Sequence, residues 1–113
     1  MKALSVKQPY ANYIASGKKT IETRTWNTKY RGYVIIVSSK NPKIEPAGKA
    51  LAIAKIVDSR PMIKQDEDKA CCKIYPKAFS WILEDIRQIK PFPVKGKLGL
   101  YNIPDYGPTG VTG

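Results

Sequence analysis

Short runs of β-branched and apolar residues, each closed within a few positions by Gly, Pro or Asn, succeed one another along nearly the whole sequence. This pattern constrains the fold most. Residues 3 to 7 (Ala-Leu-Ser-Val-Lys), 20 to 26 (T-I-E-T-R-T-W), Tyr33 to Ser38, 50 to 58 (ALAIAKIVD) and Leu98 to Ile103 read as strands. Only one early segment reads clearly as a helix. Gln8-Pro9 opens it, with Pro9 at the first helical position, Tyr10, Tyr13 and Ile14 on one face, and Gly17 where a left-handed residue closes the last turn. Residues 79 to 89 (FSWILEDIRQI) fit both periods, because Phe79, Trp81 and Leu83 alternate while Ile82, Ile86 and Ile89 are spaced helically. Five or six short strands with one early helix and short helical turns predict a mostly β, α+β fold. The expected form is a small barrel and not a βαβ sheet.

The chain has 113 residues, the size of one domain with a single core. We assign residues 1–104 to that domain and 105–113, rich in Gly and Pro, to a flexible tail. Pro91 and Pro93 are expected to break whatever precedes them, and Arg60-Pro61 to end the strand before it. The polar stretch 64–77, with Asp66-Glu67-Asp68, reads as a loop or a poorly formed helical insert without visible chemistry.

The sequence contains no histidine, which excludes Ser-His-Asp and Cys-His catalysis and any His-ligated metal. Its two cysteines, Cys71 and Cys72, are adjacent and cannot by themselves close a zinc site. We therefore expect no metal and no cofactor. No apolar run is long enough to span a bilayer and the start lacks a secretory signal, so no membrane association and a cytoplasmic location are expected. The pattern does not determine an oligomeric state.

Lys and Arg number 20 against 9 acidic residues, a net charge of +11. Residues 1–64 hold 13 basic and 3 acidic side chains, a net of +10, and residues 65–113 contribute only +1. A folded domain whose positive field comes from one half suits a polyanion, since each neutralised phosphate releases counterions. A lysine-rich surface of no particular purpose is the plainer alternative.

The densest polar constellation lies in the basic half: Gly17-Lys18-Lys19-Thr20-Ile21-Glu22-Thr23-Arg24-Thr25-Trp26, then Tyr30-Arg31-Gly32. On a strand, Ile21 points inward while Glu22, Arg24 and Trp26 share the other face, with Glu22 and Arg24 roughly 7 Å apart along the backbone. The expected ligand-binding residues are Gln8, Lys18, Arg24, Trp26, Arg31 and Ser38. Gln8 can read a base edge or cap the helix, Trp26 can stack on a base or plug the barrel, and Arg31 can clamp a phosphate or stack on a ring. Ser38 can hydrogen-bond in the cleft or satisfy the next turn. Tyr10 and Tyr13 are expected in the core.

These residues resemble a known family. Ser5-x-x-Gln8-Pro9-Tyr10, Gly17-x-Lys19-x-x-Glu22-x-Arg24, Tyr30-Arg31-Gly32 before a strand ending in Ser38-Ser39, Gly48-x-Ala50-Leu51, and Pro91-Phe92-x-x-Lys95-Gly96-x-Leu98-Gly99-Leu100 are similar to the ASCH domain pattern. The resemblance implies a PUA-like β-barrel, a cleft lined by the G-x-K-x-x-E-x-R motif, and a role in binding or processing RNA or a modified nucleoside. It also implies a strand at Trp81-Ile82-Leu83. One branch of the family resembles an amidohydrolase that removes the acetyl group from N4-acetylcytidine, using a Lys, a Thr three residues later and a distant Glu. Here Lys19 is followed at that spacing by Glu22, a departure from the branch pattern. Another branch acts as a ribonuclease. A small hydrolase with Lys19 as base or nucleophile and Glu22 as proton carrier is thus the alternative to a binding protein.

Overall fold

The computed structural model describes residues 1–104. The expected tail, 105–113, lies outside the described residues. Six strands form one curled half-barrel sheet in the order β2-β5-β4-β3-β1-β6. They are β1 (Lys2–Val6), β2 (Ile21–Arg24), β3 (Gly32–Ser38), β4 (Lys49–Pro61), β5 (Phe79–Pro93) and β6 (Leu100–Asn102). β1 runs parallel to β3 and every other pairing is antiparallel. Register shifts along β4 and β5 bend these long strands into the curl. The mostly β reading holds.

The early helix, α1 (Tyr10–Ala15), is one residue shorter at its start than expected, because Pro9 stands at the N-cap. Gly17 has the positive φ, +83°, that its position after the last turn requires. The helix buries Ala11 and Ile14 against Leu4, Val34, Ile36, Ala54, Ile56 and Trp81. Tyr10 and Tyr13, expected in the core, are only partly buried: Tyr10 packs against the core cluster and meets Tyr13 edge-on, with centroids 6.1 Å apart, and Lys19 and Lys18 lie over the two rings.

The ambiguous segment is a strand. Its two periods have a physical origin: Trp81 and Leu83 enter the main core while Ile82, on the opposite face, packs beside Ile21, Met62, Ala70 and Ala78. Beyond Leu83 the cover ends, and a bulge at Asp85 (φ +50°) brings Ile86 onto the same core cluster as Leu83, three residues apart, which gives the helical spacing. Pro91 and Pro93 do not break it. β2 pairs only with Phe79 to Ile82, so the far end of β5 is an edge, where a residue without an N–H is tolerated.

Between β4 and β5 the polar stretch folds into a 3₁₀ turn (Lys64–Asp66) and a short helix, α2 (Glu67–Ala70). Asp66 anchors it. Its buried carboxylate accepts from Arg60 Nη1 at 2.7 Å and Nη2 at 2.9 Å, from Ser80 Oγ at 2.8 Å and from the Ile63 amide at 3.1 Å. The Arg60 hydrogen bonds, helped by Ile63 and Ser80, hold the Asp66 carboxyl far below the usual carboxylate range despite its burial. Among the described residues no helix is long and apolar enough to cross a membrane.

Candidate functional site

The motif residues meet at the open side of the sheet. Lys19 follows the helix, its amide donating to the Tyr13 carbonyl at 3.0 Å, and its side chain is 2% exposed. The Lys19 ammonium donates to the Ala70 carbonyl at 2.5 Å and stands 3.6 Å from Glu22 Oε1. It also lies 5.3 Å from the centroid of the Tyr10 ring, within cation–π range. On the other side of the carboxylate, Arg24 Nε donates to Glu22 Oε2 at 2.9 Å. Arg24 Nη2 donates to the Ser5 carbonyl at 2.7 Å, which ties the strand to β1. Glu22 is thereby a buried carboxylate held between two cations, each fixed by a backbone carbonyl.

This triad lines a cleft of about 470 Å³, of the size that takes a small organic ligand. β1 and α1 supply Ser5, Lys7 and Tyr10 to the wall. The insert supplies Cys72 and Tyr75, and the segment after β5 supplies Lys97, Leu98 and Gly99. Thr23, which alternation places opposite Glu22, also lines the cleft, with Oγ1 3.7 Å from Cys72 Sγ. The sequence of the insert carries no visible chemistry. In the fold it closes the cleft, because Asp66 docks it and the Thr20 amide donates to the Lys69 carbonyl at 2.9 Å.

The remaining expected residues lie elsewhere. Gln8 is buried: Nε2 donates to Ser38 Oγ at 2.9 Å and to Asn12 Oδ1 at 3.0 Å, and Oε1 accepts the Asn12 amide at 3.0 Å. It satisfies a free amide of the first helical turn and joins α1 to the end of β3. Lys18 lies over the Tyr13 ring, 4.2 Å from its centroid. Trp26 packs edge-on against Trp81, with centroids 4.7 Å apart, and its carbonyl accepts the Trp81 indole N–H at 3.2 Å. Arg31 donates to the Thr28 and Tyr30 carbonyls and pairs with Asp58 at 3.7 Å. Ser38 lines a second, neighbouring groove of about 780 Å³. Tyr10, Cys72 and Tyr75 were missed as cleft residues. Only Tyr10 had a sequence signal, its place beside Gln8-Pro9. Among the described residues no three His, Cys, Asp or Glu side chains are grouped to hold a metal ion.

The ASCH domain family model matches residues 4–93. No curated protein matches the chain. Among solved structures, the crystal structure of ASCH from Zymomonas mobilis superposes with a TM-score of 0.73 at 15% identity, over 92% of this chain and 87% of that one. A tyrosine-to-phenylalanine mutant of the Zymomonas mobilis protein gives a TM-score of 0.69, and a serine-to-alanine mutant 0.68. Both are 15% identical and cover 92% of this chain, with 90% and 88% of their own. At this identity the likeness concerns the fold. With the family model spanning most of the sequence, from β1 to the end of β5, the chain belongs to the ASCH domain family.

Proposed function

We propose that this protein binds RNA through a nucleoside, natural or modified, held in the cleft. The observation that carries the reading is the convergence of Lys19, Glu22 and Arg24 on one solvent-connected cavity within the basic half of the chain. Glu22, fixed between two cations, is an acceptor for the amino group of a base such as cytosine. The guanidinium of Arg24, 23% exposed, donates to a base carbonyl or a phosphate. The rings of Tyr10 and Tyr75 offer faces for stacking. Lys7 and Lys97 supply charge at the wall. Gln8 with Ser38, and Trp26 with Trp81, support the reading indirectly, by building the frame around the cleft; Lys18 and Arg31 lie outside the cleft lining.

Isothermal titration of the four ribonucleosides, and fluorescence anisotropy on single-stranded RNA at several salt concentrations, test it. Saturable binding that weakens with salt and is lost in Lys19→Ala with Arg24→Ala is expected. Binding without salt dependence, or unchanged in that variant, overturns the reading.

A hydrolase is the second reading, favoured by the 3.6 Å approach of the Lys19 amine to the Glu22 carboxylate inside the cleft. In it Lys19 acts as base or nucleophile and Glu22 carries the proton. Incubation with N4-acetylcytidine, and separately with RNA, decides it against a Lys19→Ala, Glu22→Ala control. Equal rates for protein and control exclude it.

A further inference from the structure

The second groove, of about 780 Å³, opens directly off the cleft and shares Ser5, Ser39, Lys97 and Leu98 with it. Its character differs. Three lysines, Lys40, Lys95 and Lys97, line it, and no acidic residue does. In the cleft, by contrast, the two motif cations are already engaged by Glu22. Among the described residues none of the three groove lysines forms an ion pair.

The chain is shaped to keep these charges there. The Gly48 amide donates to the Ser38 carbonyl at 2.9 Å, and the Val94 amide donates to the Gly48 carbonyl at 3.2 Å. These bonds stitch the segment carrying Lys40 to the one carrying Lys95 and Lys97. At Gly48 (φ +71°) a Cβ would stand 2.8 Å from Lys40 Cε. Glycine there leaves room for the Lys40 stem to lie across the backbone. At Gly96 a Cβ would come within 3.2 Å of Ser5 Oγ, at the junction of the two cavities. Glycine there avoids crowding the Ser5 hydroxyl.

We infer that the second groove is the track for the phosphodiester backbone, so that the full ligand is a single strand of at least two nucleotides, of which a nucleoside fills only the cleft. The inference takes from the proposed function only the direction of the strand. A nucleoside in the cleft places its phosphate at Ser5, Ser39 and Lys97, and Lys40 and Lys95 meet the next. Unpaired ammonium groups with no carboxylate among them match a row of phosphates. A protein partner, with its mixed charges, would leave one sign uncompensated.

The test uses the full chain, a labelled single-stranded RNA of about ten nucleotides, its DNA counterpart, and the free ribonucleosides as probes. Lys40→Gln with Lys95→Gln should weaken RNA binding about tenfold at physiological salt and reduce the slope of log K against log salt by about 1.4, roughly 0.7 for each lost contact. Nucleoside affinity should stay within about twofold, since neither lysine lines the cleft. An equal loss on DNA supports a phosphate track that ignores the sugar. Both side chains are exposed, and thermal melting confirms that the variant folds. An unchanged slope overturns the inference, as does an equal loss from Lys29→Gln with Lys64→Gln on surfaces away from the groove. If nucleosides fail to bind but the Lys40, Lys95 variant still loses the strand, the cleft reading falls and the track stands. If nucleosides bind and that variant is neutral, the track falls alone.

Discussion

The ammonium of Lys19 donates to the backbone carbonyl of Ala70, 51 positions further along the chain. This bond joins the end of α1 to the end of α2 and sets the distance between the motif strand and the insert that closes the cleft. Removing it leaves a buried carbonyl without a donor and Glu22 with one cation in place of two. Lys19→Met should lower stability by about 1–3 kcal/mol and abolish nucleoside binding. Urea unfolding and isothermal titration on the same sample check both outcomes.

Asp66 should dominate the acid sensitivity of the insert. The Arg60 hydrogen bonds depress its carboxyl below the 3.8 of an unperturbed aspartate, so the pair stabilises the folded chain fully above about pH 4. That contribution fades as pH falls through the unfolded value toward the folded one. Asp66→Asn should cost about 2 kcal/mol at neutral pH, below the range for a fully buried pair because Arg60 is 37% exposed. The urea midpoint plotted against pH should lose part of its acid slope in the variant. An unaltered slope would show that other carboxylates carry the acid transition.

Trp26 provides a contrast, because it was expected at the ligand and packs on Trp81 instead. It is 38% exposed, so Trp26→Ala should cost about 1–2 kcal/mol through the lost edge-on contact. Nucleoside affinity should change less than about twofold, because the side chain lies outside the cleft lining. A large loss of affinity in a folded Trp26→Ala protein would mean that the base extends beyond the cleft.

Gly48 is the position where the backbone most directly limits substitution. Gly48→Ala forces an L residue into φ +71° and brings Cβ to 2.8 Å from Lys40 Cε. A cost of about 1 kcal/mol is expected, read as a lower melting temperature. The displaced Lys40 should also weaken RNA strand binding while leaving nucleosides unaffected.

The strand succession, the single early helix and the spacing that sets Lys19, Glu22 and Arg24 together are legible in the residues alone. These depend on local periodicity and on contacts between near neighbours, such as the Glu22–Arg24 pair two residues apart. The same local logic left 79–89 undecided, since a bulge at Asp85 sets Leu83 and Ile86, three residues apart, on one core cluster and so interrupts the strand period, and it placed a break at Pro91 that an edge strand does not need. Which side chains reach the cleft depends on contacts made across the closed sheet. Gln8 and Trp26 are polar or aromatic in the right region, yet long-range partners, Ser38 and Trp81, take them into the frame. Conversely, the insert enters the site through the Ala70 carbonyl, a group every residue has, and through an Arg60–Asp66 pair whose meaning depends on the surface it docks against. A backbone acceptor leaves no mark in a sequence, and a long-range contact is specified only when the whole sheet has closed around it.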